Sequence, residues 1–378
     1  MISPTELTRR WSKLRDMLAT ADLDAVIVTG GSGTAELIHA TGYQYRGANV
    51  VFLLTRDGDV RLILRGPFAL TLPRPAEQWL PDTPSEILYE DMSAAPLPDS
   101  AVDWLKAHGV TRVAVNGPSD GALSQALTAA LPHVGVVSWD AELLASRFGK
   151  SDEELDFVHR SVAIADEIFA RADELIQPGR SVGKAVGDVH RLAIELGADP
   201  ARATYQGSLN LIFDHNQSGV NGYVEEERIL QPGDTFTLEL TPRVHGYFSQ
   251  LTVPVSIGPV SPEMQRLFDV TERARQAGLA EVRPGSDSAR SAQAMLDVIA
   301  AEGFEPLNTD IGHLLGLELT EPRLGLKNVL EFEPGMVLVF HPMIRSNAAS
   351  LFMRGDTYLI TDDGPQRLNS SPVEFLEV

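Results

Sequence analysis

Cysteine is absent from this sequence of 378 residues. Its absence excludes disulfide bonds, thiolate metal ligands and a cysteine nucleophile. Long hydrophobic runs are missing too, because no apolar stretch approaches the ~20 residues that a membrane-spanning helix needs. The first residues, Met1 to Arg10, predict the start of a polar helix and not a secretory signal peptide. We therefore expect a protein that stays in the cytoplasm and has no contact with a membrane.

Basic residues are scarce relative to acidic ones. The chain has 31 Lys and Arg against 52 Asp and Glu, which gives a formal net charge of −21. This balance argues against nucleic acid and anionic membrane surfaces as partners. The hydrophobic content of 43% and the charged content of 22% are ordinary for a soluble globular protein. The length is sufficient for two domains, each with its own core.

The N-terminal part alternates helical and strand patterns. Leu7, Trp11, Leu14 and Leu18 have the spacing of one helix face. A short apolar run from Leu23 to Gly30 is typical of a buried strand. Further strands are predicted at 50–54, 60–64, 113–115 and 134–137, with helices between them, for example at 101–108. Residues 1–148 therefore form a predicted α/β domain.

A domain boundary is predicted at Gly149. Ser151 is a helix N-cap candidate, and Glu154, three residues later, completes a capping box. The helix that follows is expected to continue to about Ile176, and a second helix to cover 181–196. The remaining chain, within a second domain 149–378, alternates strands and turns with two more helices at 259–278 and 288–302.

Strand pairing in this second domain is predicted to gather polar residues. The strands 235–240 and 248–255 are expected to pair through the turn at Pro242–Gly246. Two later strands, 337–340 and 357–361, should bring His341 close to Asp356. The prediction is an α/β (α+β) protein with a polar site in its C-terminal half.

Four segments of this half carry a family resemblance. They are Gly312-His-Leu-Leu-Gly-Leu-Glu318, Glu333-Pro-Gly to His341-Pro342, Arg354-Gly-Asp-Thr-Tyr358, and Gly233-Asp to Glu239 with its continuation Gly246-Tyr-Phe-Ser-Gln250. Together they resemble the pita-bread family of creatinase, Xaa-Pro aminopeptidase, prolidase and methionine aminopeptidase. The resemblance implies a creatinase-like N-terminal domain, a C-terminal pita-bread domain and a homodimer.

The resemblance also locates the family's metal ligands. In its metallopeptidases two divalent metal ions are held by two Asp, one His and two Glu. The matching positions here are Glu239, Gln250, His313, His341 and Gly355. Only His313 keeps the family's residue, and one carboxylate cannot offset the charge of two dications. The resemblance therefore implies that the dinuclear site is lost and that the chain has no cofactor.

One metal ion is the alternative. His313, His341 and Glu239 have the composition of the two-histidine, one-carboxylate triad that holds iron with open positions. In the family, the position of Glu239 belongs to a different metal ion from the two histidines. Whether the extra methylene of Glu239 spans that gap stays open from the sequence.

The metal-free creatinases are the second comparison. Their catalytic histidine matches Gly222, and their two guanidinium-binding carboxylates match Thr252 and Arg354, which makes creatine a poor substrate. His215 lies nearby and is a candidate replacement for the histidine. Other candidates for substrate contact are Tyr247, Gln250, Glu318, Arg323, Arg345 and Arg354. The three arginines indicate that an anionic group of the substrate could be bound by guanidinium forks.

Three functions fit these residues. The first is a creatinase-like, metal-independent enzyme that acts on a small polar molecule or a short peptide, by hydrolysis of a C–N bond or by related proton-transfer chemistry such as elimination or decarboxylation. In it His313 or His341 transfers the proton, with Glu239 as its partner. The second is a metalloenzyme, either mononuclear or a degenerate Xaa-Pro peptidase. The third is a non-catalytic binding module.

Overall fold

The computed structural model describes residues 2–31, 33–42, 49–65, 85–90, 97–199, 211–214, 227–346, 349 and 351–378. Two residues considered above, His215 and Gly222, fall in the range 215–226 and lie outside the described residues. The chain divides into two compact units, Met1–Arg147 and Phe148–Val378. No helix among the described residues is long and apolar enough to cross a membrane.

The first unit is a mixed sheet with helices. Its helices are α1 Pro4–Thr20, α2 Ala35–Thr41, α3 Asp99–Ala107, α4 Ala122–Ala130 and α5 Asp140–Ala145. Its strands are β1 Ala25–Gly30, β2 Asn49–Thr55, β3 Val60–Arg65, β4 Ser85–Glu90, β5 Arg112–Val115 and β6 Gly135–Ser138. The strand order is β4-β3-β2-β1-β5-β6, with β1 antiparallel to β2 and parallel to β5.

The first helix forms as its sequence predicts. Ser3 accepts a hydrogen bond from the backbone N–H of Glu6, and Pro4 opens the helix where its missing N–H costs nothing. The predicted stripe is buried at Leu7, Trp11, Leu14 and Leu18, and the last three belong to one hydrophobic core of the unit.

The second unit contains the remaining elements. Its helices are α6 Asp152–Ala170, α7 Ala172–Leu175, α8 Val182–Glu195, α9 Pro262–Ala280 and α10 Ser288–Ala301. Its strands are β7 Leu211–Asp214, β8 Thr235–Leu240, β9 Arg243–Val244, β10 Tyr247–Phe248, β11 Leu251–Ser256, β12 Glu305–Pro306, β13 Asp310–Leu314, β14 Arg323–Gly325, β15 Val337–Phe340, β16 Met343–Arg345, β17 Phe352–Met353, β18 Asp356–Thr361, β19 Gly364–Arg367 and β20 Leu376–Glu377. The larger sheets have the orders β20-β11-β8-β7 and β14-β13-β15-β18-β19.

The helix α6 begins with the predicted capping box. The Ser151 hydroxyl accepts from the Glu154 N–H, and the Glu154 carboxylate accepts from the Ser151 N–H at 2.8 Å. The helix ends earlier than predicted. Arg171 leaves the helical conformation, with φ −113° and ψ 16°, and the short helix α7 follows it. The single helix to Ile176 was therefore wrong at its C-terminal end.

A second difference places a site residue. The predicted strand 248–255 is divided between β10 and β11, and Ser249 and Gln250 lie between them. Their backbone N–H groups donate to side-chain hydroxyls. Ser249 donates to Ser161 at 3.1 Å and also reaches the Pro242 carbonyl at 3.3 Å, and Gln250 donates to Thr357 at 3.0 Å. These two polar side chains therefore set the point at which β11 begins.

The helices α9 and α10 cover one face of the sheet that contains β13, β15 and β18. Leu338, Phe340 and Tyr358 belong to the core that packs on these helices. The helix approaches so closely that a Cβ at Gly278 would lie 2.7 Å from the Phe340 ring. Because side chains alternate along a strand, the neighbours of these residues face the other side of the sheet. The candidate site lies on that other face.

Candidate functional site

A row of paired backbone positions joins the two larger sheets of the second unit. Glu239 of β8 pairs with Thr252 of β11. Thr252 in turn pairs with Gly355, through backbone hydrogen bonds of 2.9 and 3.1 Å. Gly355 precedes Asp356, whose partner Phe340 precedes His341. Directly paired residues project to the same face. Glu239, Thr252 and His341 therefore share one face, although they are far apart in sequence.

Gly355 occupies a position where no side chain fits. A Cβ built there would lie 2.5 Å from the Cβ of His341 and 2.9 Å from the Phe340 carbonyl oxygen. Both contacts involve rigid atoms, so no rotamer change would relieve them. Gly355 therefore stands where the family has an acidic residue, and the surrounding backbone leaves no room for an acidic side chain.

Glu239 and Gln250 are joined by a direct hydrogen bond. The Gln250 amide Nε2 donates to Glu239 Oε1 at 2.7 Å and to the Thr252 hydroxyl at 3.3 Å. Gln250 is 1% exposed. Its backbone is fixed on both sides by Thr357, whose hydroxyl accepts from the Gln250 N–H and donates to the Gln250 carbonyl at 2.8 Å. The amide is therefore held in one orientation beside the carboxylate.

The protonation of Glu239 is perturbed by its surroundings. Burial raises the pKa of the Glu239 carboxyl to about 7, against the opposing effects of the Arg323 charge and the hydrogen bond from Gln250. The side chain is only half-buried by accessible surface. A carboxyl that is reachable and titrates near neutral pH is suited to accept and return a proton.

His313 and His341 lie side by side on the same face. Their rings meet edge to face, with centroids 5.1 Å apart. The close approach of β13 and β15 depends on Gly312, which has φ +147° and whose Cβ would lie 1.9 Å from the Val339 carbonyl oxygen. This is the physical reason for the glycine before the histidine in the Gly-His-x-x-Gly segment.

Both imidazoles are neutral at physiological pH. Burial lowers the pKa of His341 to about 4. Burial and the neighbouring His341 hold the pKa of His313 well below its usual range, although its hydrogen bond to the Leu314 carbonyl acts in the opposite direction. The His313 Nδ1 lies 3.1 Å from that carbonyl oxygen.

Arg323 is a cation whose charge acts on the three titratable side chains of this face, Glu239, His313 and His341. It pairs with His313 across β13 and β14, so the two side chains project to the same side of the sheet. Its positive charge lowers the pKa values of Glu239, His313 and His341. The side chain is 45% exposed, and the carboxylate of Asp310 lies 3.8 Å from it. Its guanidinium can therefore reach a ligand.

Arg354 lies on the opposite face of the sheet. It is 1% exposed and makes ion pairs with Asp356 and, at 3.4 Å, with Glu272 of α9. Asp356 also accepts hydrogen bonds of 2.8 Å from Arg275 and from Arg367. The expected proximity of His341 and Asp356 is found in the backbone pairing only, since their side chains project to opposite faces. This buried ionic cluster was not predicted from the sequence.

The other candidates are distributed around the unit. Arg345 is exposed and lines a surface cavity of about 350 Å³ together with Glu263 and Phe304. The Tyr247 hydroxyl donates to Glu154 at 2.7 Å, and its ring stacks on Phe157. Glu318 is half-buried, and its backbone carbonyl accepts from Gly316 at 3.2 Å. The candidate His215 lies outside the described residues.

Sequence reasoning missed two supporting groups. Thr357 fixes the Gln250 backbone, and Lys150 forms a buried ion pair with Glu321. A threonine in a strand gives no signal of its own, because its partner lies about a hundred residues away in the chain. Lys150 directly precedes the capping-box serine, but its buried partner could not be identified without the tertiary structure.

The donor set does not fit the family's dinuclear metal centre. Among the described residues, no group of three or more His, Asp and Glu side chains is arranged to hold a metal ion. Gly355 has no room for a carboxylate, and the Gln250 amide donates a hydrogen bond towards Glu239, where a second anion would be needed. His313, His341 and Glu239 share a face without forming a ligand group.

Comparisons with known proteins identify the family. The chain matches the Metallopeptidase family M24 over residues 156–362 and the Creatinase/Prolidase N-terminal domain over residues 10–148. The chain therefore belongs to the M24 peptidase family. This confirms both the predicted family and the predicted fold class, a creatinase-type α/β domain followed by a pita-bread domain.

Individual relatives agree with this assignment. The chain is 27% identical over 233 residues to the uncharacterized peptidase YqhT of Bacillus subtilis. This alignment covers 61% of this chain and 64% of YqhT, so the chain spans slightly less than two thirds of the length of that relative. It is 25% identical over 394 residues to the creatinase of a Bacillus species, covering 98% and 92% of the two chains. The solved Xaa-Pro dipeptidase from Bacillus anthracis has the same fold, with a TM-score of 0.83, 19% identity and coverage of 98% and 100%.

Proposed function

We propose that this protein is a hydrolase of the M24 fold that breaks a C–N bond in a short peptide or a small polar amide without the family's dinuclear metal site. The observation that carries the proposal is the hydrogen bond of 2.7 Å between the Gln250 amide and the Glu239 carboxylate. It replaces, at matching positions, a pair of carboxylates that would be needed to bind two cations. The relatives named as a dipeptidase and a creatinase support C–N hydrolysis as the reaction class.

Glu239 is assigned the proton transfer. In its ionised form the carboxylate accepts a proton from water while the water oxygen bonds to the substrate carbonyl carbon. The carboxylic acid then returns the proton to the leaving nitrogen as the C–N bond breaks. A pKa of about 7 makes both forms of Glu239 available near neutral pH.

This assignment exchanges the roles expected from the sequence, in which a histidine transferred the proton. The pKa of His341 is lowered to about 4 by burial, and that of His313 is also held low. Neutral imidazoles of this kind are weak bases, but they can hydrogen-bond a polar substrate, and His313, whose Nδ1 is bonded to the Leu314 carbonyl, has its Nε2 left as an acceptor. We propose that the two histidines orient the substrate and that Arg323 binds its anionic group.

Metal analysis and a substrate panel test the proposal. The protein is purified without chelator or affinity tag, its metal content is measured by plasma mass spectrometry, and dipeptides, N-acyl amino acids and guanidino acids are followed by NMR. We expect turnover without stoichiometric metal and without loss in EDTA. Glu239→Gln should lower kcat about 10²–10⁴-fold, whereas Glu174→Gln, an exposed ion-pair variant, should leave it unchanged.

Two results would overturn the proposal. Stoichiometric metal whose removal abolishes turnover would favour the mononuclear enzyme. Turnover of no member of the panel, with a specific ligand still bound, would favour the binding module. The expected homodimer and cytoplasmic location remain proposals as well, and light scattering on the purified protein measures the first of them.

A further inference from the structure

The second unit contains a buried ion pair between Lys150 and Glu321. Lys150 Nζ and Glu321 Oε2 are 3.1 Å apart, and the two side chains are 1% and 0% exposed. The ammonium group also donates to the Phe148 carbonyl at 3.3 Å. A charge in such a place is tolerated only with its partner in good geometry, because the surrounding protein cannot solvate it. The pair therefore fixes the relative positions of two segments that are distant in sequence.

Glu321 is held in place from three sides. Its carboxylate lies so close to Gly316 that a Cβ there would be 2.3 Å from Oε1. Its backbone N–H donates to the Leu314 carbonyl at 3.1 Å, and the Leu314 N–H donates to the Pro322 carbonyl at 3.1 Å. The turn between Leu314 and Pro322 is thereby closed directly after the strand that contains His313.

Lys150 is anchored to the neighbouring strand. Its backbone N–H donates to the Gly335 carbonyl at 2.9 Å, and Gly149 forms a bridge with Met336. The strand Val337–Phe340 begins at the next residue and ends beside His341. The ion pair thus connects the segment leading to His341 with the turn that follows His313.

The Leu314 carbonyl oxygen contacts both Glu321, a member of the ion pair, and His313, a residue of the candidate site. This oxygen lies 3.1 Å from the His313 Nδ1 and 3.1 Å from the Glu321 N–H donor. A carbonyl oxygen can only accept a hydrogen bond, so a bonded Nδ1 carries the proton and Nε2 is left as an acceptor. The position of this one oxygen therefore selects the His313 tautomer.

We propose that Lys150 is a positioning residue for His313: its ion pair with Glu321 holds the Leu314 carbonyl where it fixes the Nδ1–H tautomer of the imidazole. The geometric part holds for any function of the site, while its effect on turnover rests on the proposed function. When the ammonium group is removed, the Glu321 carboxylate loses the cation 3.1 Å away in a place that is 0% exposed, and we expect it to take up a proton or to move. Either change releases the turn that carries the Leu314 oxygen.

Nitrogen NMR of the full-length protein tests this directly. Histidine is labelled with ¹⁵N in the ring, and the His313 signals are assigned by their loss in His313→Ala. We expect a single Nδ1–H tautomer in the wild type and a mixture of tautomers in Lys150→Met. The matched control is Lys184→Met, which makes the same substitution at an exposed ion pair with Asp188 and should leave the His313 signals unchanged. Turnover should fall about 10–100-fold in Lys150→Met and stay at the wild-type level in Lys184→Met.

Two further variants distinguish a change of the His313 tautomer from a general loss of folding. Lys150→Arg keeps the charge and should keep the single tautomer. Lys150→Met combined with Glu321→Gln removes both charges while keeping the shapes, and should fold yet show the mixture. A single Nδ1–H tautomer in both of the variants that lack the ammonium group would overturn the inference. A mixture of tautomers with unchanged turnover would support the positioning role of Lys150 and count against the catalytic role proposed for the site.

Discussion

The Cβ of His341 lies 2.5 Å from the point where a side chain at Gly355 would begin. The contact follows from the backbone pairing of Phe340 with Asp356 on one side of Gly355 and of Thr252 with Gly355 on the other. Gly355 itself exchanges two backbone hydrogen bonds with Thr252, and the next residue begins β18, so Gly355 cannot move away from His341 without the loss of hydrogen bonds. The identities of residues 341 and 355 are therefore coupled by the packing of the strands.

This coupling predicts the outcome of a substitution. Gly355→Ala should destabilise the protein by about 1–3 kcal/mol, because the added methyl overlaps atoms that cannot change rotamer. Urea unfolding measures the change in the free energy of unfolding. In a His341→Gly background part of the cost should disappear, while in His341→Ala, which keeps the Cβ, it should remain. Equal costs in both backgrounds would show that the two positions are independent.

The raised pKa of Glu239 predicts a pH-dependent stability. The carboxyl binds its proton more tightly in the folded protein, with a pKa of about 7, than in the unfolded chain, where the value is 4.5. Stability should therefore fall as pH rises from about 4.5 to about 7, by about 1–3 kcal/mol. Glu239→Gln should remove this component, so the variant gains stability over wild type between pH 5 and pH 8.

Urea unfolding at these two pH values gives the measurement. The exposed Glu174 provides the control, since Glu174→Gln should change the free energy of unfolding equally at both. A wild-type advantage over Glu239→Gln that grows towards pH 8 would contradict the prediction.

The hydrogen bond from Gln250 predicts a shift in the same pKa. Its amide stabilises the ionised form of Glu239, so Gln250→Leu should raise the Glu239 pKa further, by about one unit. The titration of ¹³C-labelled glutamate carboxyls by NMR reports the value. Thr252→Val removes the weaker 3.3 Å contact of the same amide and should have a smaller effect. A lowered pKa in Gln250→Leu would show that the amide does not stabilise the anion.

The buried Asp356 predicts a loss of stability in acid. Arg354 and the other guanidinium groups hold the pKa of Asp356 down to about 2 against the effect of burial. The stabilisation is complete above the unfolded value of 3.8 and is lost as pH falls from about 4 to about 2. Asp356→Asn should therefore cost about 3–5 kcal/mol at pH 7 and much less near pH 2.

Guanidinium chloride would screen these charges, so urea unfolding across the acid range is the appropriate measurement. The exposed Asp173 offers a matched substitution, and Asp173→Asn should stay within about 0.5 kcal/mol of wild type. A cost for Asp356→Asn that is the same at pH 7 and pH 2 would indicate a packing effect instead of a charge effect.

Local signals predicted the elements that depend on local physics. The stripe Leu7, Leu14 and Leu18 is buried, and the capping box of Ser151 and Glu154 forms with both hydrogen bonds. The errors occurred where a distant partner intervenes. The strand 248–255 is interrupted at Ser249 and Gln250 because Ser161 and Thr357 take their backbone N–H groups. Neither partner is close in the chain, so no local pattern could reveal it.

The site shows the same division. The motifs predicted His313, His341, Glu239 and Gln250 as site residues. The structure places His313, His341 and Glu239 on one face of the paired strands and joins the Gln250 amide to Glu239 by a hydrogen bond. The sequence could not distinguish that face from the other, and so it grouped Arg354 with them. Strand alternation and the ion pairs with Glu272 and Asp356 place Arg354 on the helix side. A shift of one residue along a strand moves a side chain from the face of the candidate site to the face of the buried ionic cluster.

The sequence by itself determined the family and the fold class, and it predicted that Gln250, His341 and Gly355 stand where the family has carboxylate ligands, because these inferences depend on residue identity and spacing. Only the tertiary structure decided what replaces them: the hydrogen bond from Gln250 to Glu239, the closed space at Gly355 and the burial that moves the pKa of Glu239 to about 7. Hydrogen-bond distances and desolvation depend on atoms from strands that are remote in sequence, so they exist only once the chain has folded.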